Sequence, residues 1–290
     1  MRHRTPLATH FRDKHIWLDM GLLALLCVVA SYIPVLKIVP LVAGLELFSF
    51  FCFHLVPVRG RFQLQGFLGG FISSTAVYLQ VLNDKKFAAT RERDIQLTLL
   101  FALCAMLIEC LMIVWFLSGT LAWTYYLPFL IQLLLIICVI VFLSGQKEQS
   151  PQIEEHGNTG MAEIELLNDH PILWKNVIKL SMLIFILVYG MHVIGSELPL
   201  SRNASILLIS LFEAHAVLAS VMTEQSLYVK QTDLLTQFYL ILFGNALSKS
   251  FLMCKGRNLR NKAWLIAVLL MSFVVSLAAS FAIGAAVGSW

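Results

Sequence analysis

The chain has 290 residues, of which 59% are hydrophobic and only 13% charged, and its mean hydropathy is +0.80. That balance excludes an ordinary soluble globular domain. The net charge of +4 is modest, its basic residues sit at the ends of apolar runs, and nucleic acid is therefore not expected as a partner.

A helix needs roughly 20 mostly apolar residues to cross the hydrocarbon core of a bilayer. The sequence supplies such runs near 17–36, 38–57, 64–83, 95–117, 122–144, 173–195, 203–223, 234–254 and 263–287. The expected fold is therefore all-α and integral to the membrane, with about nine transmembrane helices. Eight is the alternative count, because Pro34, Lys37 and Pro40 leave a very short turn between the first two runs, which then form one broken helix with an interfacial piece. The basic segment 1–16 reads as a cytoplasmic anchor rather than a removed signal peptide. A first transmembrane half, 17–144, is followed by an acidic polar linker, 145–172, and a second half, 173–290.

Basic residues of short loops set orientation. With the N-terminus cytoplasmic, Arg59 and Arg61 and then Lys255, Arg257, Arg260 and Lys262 fall inside, and the acidic linker falls outside. The connection from Asn83 to Asp94 dissents, because it carries Lys85, Lys86, Arg91 and Arg93 and lands outside. The six cysteines include no CxxC pair and no His-Cys cluster at metal spacing, and they read as small hydrophobic residues.

A shift of 140 residues places Ser73 on Glu213, Thr75 on His215, Ala76 on Ala216, Val77 on Val217, Val81 on Val221 and Glu109 on Lys249. It also superposes the third, fourth and fifth runs on the seventh, eighth and ninth. In a nine-span chain an even number of crossings separates the halves, so the repeats expected are parallel, related by an axis along the membrane normal. The competing account is that helical membrane sequences align loosely with one another.

Ionisable groups within apolar runs cost on the order of 2.5 to 3.5 kcal/mol each unless they face protein, water or a partner. Those in question are Glu46, Glu109, Glu213, His215 and Lys249, with His54 and His192 nearer run ends. Asn245 stands one turn before Lys249 and shares its face. Lys249 either binds an anionic group or counters Glu109 or Glu213, or else snorkels to the interface. Glu213 and His215, two residues apart, point in different directions on a continuous helix and so face different neighbours. The glycines and hydroxyls of GGFISSTAV (Gly69 to Val77) allow close helix packing; alternatively, a local break there opens backbone groups to a cavity. The substrate-binding set expected is Ser73, Ser74, Thr75, Glu109, Glu213, His215, Asn245 and Lys249. Phosphate-loop, HExxH and GxSxG patterns are not found in the sequence, which favours transport or regulation over catalysis.

GGFISSTAV, SLFEAHAVLAS at 210–220 and GNALSK at 244–249 together resemble a membrane domain often found C-terminal to an MgtC/SapB module in bacteria. The resemblance covers approximately residues 15–290. Glu213 and His215 stand where that domain usually carries acidic residues, and Glu109 where it carries a basic one. The resemblance implies a bacterial inner-membrane protein. Function is then expected to be a transporter or channel for an ion or small charged solute, using a polar site between the halves. The alternative is a regulatory or scaffolding protein that binds another membrane complex. A lipid-modifying enzyme, with His215 and Glu213 as base and acid, is a third class. The partners expected are the bilayer, the solute and, among proteins, a second copy of the chain; metal and cofactor are unknown.

Overall fold

The computed structural model describes residues 14–32, 62–83, 90–118, 123–145, 199–211, 213–228 and 234–287, with single positions at 39, 40, 43, 44, 47, 87, 178, 182 and 186. Among these residues the protein is all-helical: α1 (Lys14–Tyr32), α2 (Phe62–Asn83), α3 (Glu92–Ser118), a 3-10 turn (Trp123–Tyr125), α4 (Leu127–Gly145), α5 (Pro199–Ser210), α6 (Ala214–Tyr228), α7 (Leu234–Lys255) and α8 (Lys262–Val287). The run expected at 203–223 is thus two helices, and most of the others match a single helix. The runs at 38–57 and 173–195, most of the linker, Glu46, His54 and His192 lie largely or wholly outside the described residues.

Among the described residues, three helices are long and apolar enough to cross a membrane: Glu92–Leu117, Leu127–Gly145 and Lys262–Ala282. The most apolar window of the first is 78% buried, against 33% in each of the other two. Helix α3 is therefore the central post, touched by α2, α4 and α6, while α4 and α8 show Leu134, Val141, Phe142, Met271 and Phe281 outward. So much apolar surface turned out is unusual for a water-soluble surface and ordinary for a lipid-facing one.

Local chemistry fixes the helix ends. Glu92 and Asp94 lie in the first turn of α3, where carboxylates complement the helix dipole. Pro128 occupies the second position of α4, where its missing N–H costs nothing. Helix α7 stops at Gly256, whose N–H donates to the Leu252 carbonyl at 2.9 Å. Between helices in lipid there is little hydrophobic drive, and close backbone approach supplies the attraction instead. Helix α2 uses Gly66 and Gly70 for this: a Cβ at Gly70 would stand 2.7 Å from the Ala102 carbonyl oxygen and 2.8 Å from its Cα.

The directions of the helices follow from contacts at one end of the bundle. The Leu82 carbonyl accepts from the N–H groups of Arg257 at 2.9 Å and Asn258 at 3.0 Å, so α2 and α7 finish together. The Glu92 carboxylate accepts from the Asn261 N–H, so α3 and α8 start there. Arg93 donates to the Ser144 carbonyl at 2.7 Å, so α4 also finishes there. Two expectations fall with this geometry. The helices equated by the 140-residue shift, α3 with α7 and α4 with α8, run in opposite directions, so a parallel relation between the halves is ruled out. The connections 83–94 and 255–262, assigned to opposite faces from the sequence, meet at a single end.

Substituting Gly70 by Val should force α2 off α3 at a point where backbone, not a movable side chain, is met. Overpacking of this kind costs typically 1–3 kcal/mol. We expect a lower unfolding temperature of the detergent-solubilised protein, whereas Gly145→Ala, with open space around it, should leave that temperature nearly unchanged.

Candidate functional site

Helix α2 is not continuous. Ser73 has φ −166 and ψ 104, an extended conformation that interrupts the i to i−4 ladder between two helical halves. Its hydroxyl then caps the second half, accepting from the Ala76 N–H at 3.3 Å. The second break falls between α5 and α6. Leu211 is in a turn and Glu213 sits just ahead of α6, with its carbonyl accepting from the Val217 N–H at 3.4 Å. Ser73 and Glu213 are the pair that the 140-residue shift superposes, so the two interruptions occupy equivalent places in the sequence.

Charged groups gather at these breaks. The His215 ring lies between two carboxylates, with Nδ1 at 2.9 Å from Glu213 Oε1 and Nε2 at 3.1 Å from Glu109 Oε2. The first contact is a well-formed hydrogen bond; the second is close but off the line of one. The His215 and Glu109 side chains are almost wholly enclosed, whereas that of Glu213 is 24% exposed. The carboxylate of Glu213, at the N-terminus of α6, is also favoured by that helix dipole.

Lys249 projects from α7 and is 1% exposed. Its ammonium donates to Thr75 Oγ1 at 2.7 Å and lies 5.0 Å from the centre of the Tyr78 ring, an arrangement that stabilises a cation. Glu213 is near enough to act on its charge. The polar groups therefore form two clusters, Glu109–His215–Glu213 and Lys249–Thr75, with Glu213 acting on the Lys249 charge across the space between them.

All eight residues picked out by sequence lie on α2, α3, α7 or the α5–α6 junction. Six are joined by the contacts just given or cap the break. Ser74 and Asn245 are buried, 3% and 4% exposed, and the amide nitrogen of Asn245 meets no acceptor among the described residues. The structure corrects one expectation: Glu213 and His215 do pair, because Glu213 precedes α6 and the helical geometry that would splay them apart does not apply to it. It also selects between two others, since Lys249 is held inside the bundle and does not snorkel. Tyr78 was not singled out from the sequence, although it lies three residues beyond Thr75, the spacing that puts both on one helical face. Its hydroxyl is buried with no partner among the described residues.

One further relation emerges from these distances. The shift that maps Thr75 to His215 also maps Glu109 to Lys249, so the contact Lys249–Thr75 is the counterpart of Glu109–His215 with the two halves exchanged.

A family described as a domain of unknown function, DUF4010, matches residues 41–255. The chain belongs to that family. The match includes α2 through α7 and every residue of the site. The comparison supplies no link to an MgtC/SapB module. No curated protein and no solved structure matches the chain.

Replacing Thr75 by Val removes the only oxygen that bonds Lys249 among the described residues while preserving shape, and leaving a buried charged donor unsatisfied costs about 1–3 kcal/mol. Thr75→Ser restores the oxygen. Thermal unfolding in detergent should show Val well below Ser and wild type; equal midpoints for all three would mean that the bond contributes nothing.

Proposed function

We propose that this DUF4010 protein is a membrane transporter for an ion or small charged solute, with its site where the two broken helices meet. The observation carrying this reading is the placement of two polar clusters, Glu109–His215–Glu213 and Lys249–Thr75, at interruptions of helices inside an apolar bundle. Irregular backbone at membrane depth is tolerated only where it is covered by protein or lines a cavity. Discontinuous helices that bring backbone dipoles to a central site are a recurring transporter device.

The two halves are, on this reading, an inverted-topology duplication: α2, α3 and α4 answer to α5–α6, α7 and α8. Three features support it: the equivalent breaks, the exchanged contacts Lys249–Thr75 and Glu109–His215, and the opposed directions of the paired helices. Such repeats relate the two faces of the membrane and give a route to alternating access.

Six basic residues belong to the end where α2 and α7 finish: Arg91, Arg93, Lys255, Arg257, Arg260 and Lys262. Basic short loops lie on the cytoplasmic side, so this end is the cytoplasmic one. The membrane implied by the resemblance is the bacterial inner membrane.

Two experiments test this. Glu213→Gln should insert normally and lose uptake of radioactive sodium, rubidium or phosphate, whichever the wild type carries, in reconstituted vesicles; uptake at wild-type rates in the variant would remove Glu213 from the site. In a cysteine-free background, single cysteines at Arg91 and Arg260 should react with an impermeant maleimide from the same face of the membrane, the cytoplasmic one. Labelling from opposite faces would dismantle the proposed orientation.

A further inference from the structure

The surroundings of Lys249 are rich in hydrogen-bond donors and poor in acceptors. An ammonium has three N–H groups, and one of those on Lys249 goes to Thr75 Oγ1 at 2.7 Å. The Thr75 oxygen that accepts it keeps its own O–H to give. Tyr78, wholly buried on α2, has a hydroxyl with no partner among the described residues. Asn245, 4% exposed and one turn before Lys249 on the same face of α7, has an amide nitrogen in the same condition. A buried donor left unsatisfied is costly, so two of them beside an enclosed ammonium call for an acceptor.

One acceptor can serve more than one of these groups. The ammonium lies over the Tyr78 ring, 5.0 Å from its centre, and the phenolic oxygen stands at the rim of that ring, so the two donors are about twice an ordinary hydrogen-bond length apart. A single atom between them reaches both. The break in α2 adds to the attraction. Ser73 is extended and the helix begins again after it, so the first N–H groups of the second half face back to the break and the dipole is positive there. Thr75 and Tyr78 both belong to the opening turns of that half.

We infer that Lys249, Thr75, Tyr78 and Asn245 form a binding site for a compact monovalent anion, of the size of a halide or nitrate. This deepens the transport reading by naming the solute; the passage of the anion rests on that reading, whereas its binding does not. The donor set decides the class. A metal cation needs oxygen lone pairs turned toward it, and in this place it would meet an ammonium. A larger oxyanion held by two oxygens is matched by the planar fork of arginine, while lysine is a compact point charge. A dianion would bring its second charge toward Glu213, which already acts on Lys249. Glu213 bonds the His215 ring, at 2.9 Å, and leaves the donors around Lys249 to another acceptor. The further neighbour of Tyr78 is Cys104 on α3, whose thiol is a weak donor and does not alter the balance.

Thermal unfolding of the full chain in detergent, at constant pH and ionic strength, checks the site when chloride or nitrate replaces gluconate, which is too bulky to enter. The midpoint should rise and saturate with either small anion. Tyr78→Phe removes a hydroxyl that bonds nothing among the described residues, so in gluconate its midpoint should equal or exceed that of the wild type. Its half-saturating chloride concentration should nevertheless be about tenfold higher. Lys249→Met should lose the response; should that variant fail to fold, Tyr78→Phe decides alone. Identical wild-type midpoints in the three salts, a rise that never saturates, or a response that Tyr78→Phe leaves unchanged would each overturn the site. Radioactive chloride should enter vesicles holding the wild type, and Tyr78→Phe should slow its entry at low chloride. Sodium or rubidium uptake by a protein whose unfolding ignores chloride and nitrate would overturn the anion site and leave the transport reading standing. Saturable anion binding with no ion crossing would uphold the site and remove the transport reading.

Discussion

A charge inside an apolar bundle must be compensated by something close to it, and most of what is distinctive in this molecule follows from that requirement. Lys249 cannot reach water from its place on α7, and Glu109 is as deeply enclosed on α3. Each is met by a residue at a helix break: Lys249 by Thr75, Glu109 by His215. The breaks and the charges therefore explain one another. An interrupted helix aims side chains and exposes backbone groups in ways a continuous one cannot, and without charges to meet, the interruption would only weaken the bundle.

The same requirement divides the helices by role. Helices α4 and α8 turn much apolar surface outward, and the Ser276 hydroxyl of α8 donates to the Pro128 carbonyl of α4 at 2.7 Å. They brace the rest from outside. Helices α2, α3, α6 and α7 carry the polar clusters. The fit of α2 to α3 through Gly66 and Gly70 sets how near Thr75 can come to its partners, so packing and site geometry are coupled through a few small residues.

Much of this was legible in the sequence, for identifiable reasons. Length and apolarity placed the long helices within a few residues, because crossing a bilayer imposes a minimum run. The unfavourable placement of Glu109, Glu213, His215 and Lys249 in such runs marked them as residues with partners. Direction was not legible. It depends on which helix ends meet, and contacts such as Leu82 with Arg257 and Arg93 with Ser144 leave no trace in hydropathy. Nor was the pairing of Glu213 with His215: the rule that separates residues two apart holds only on a helix, and Glu213 lies just before one. The hydroxyls of GGFISSTAV did announce a break, but the sequence left close packing equally open.

The exchange symmetry of the contacts has one asymmetry, and it is the informative part. Equivalent positions carry Glu109 and Lys249, opposite in charge, and Thr75 and His215, of which only the second titrates near neutral pH without perturbation. A duplicated scaffold that kept identical residues would place two like charges near each other at its centre. Here one limb is an acid–histidine cluster and the other a lysine–hydroxyl pair, opposite in formal charge, and each is anchored where a helix is interrupted. Replacing either break by continuous helix would therefore remove the side chain that meets the buried charge of α3 or α7.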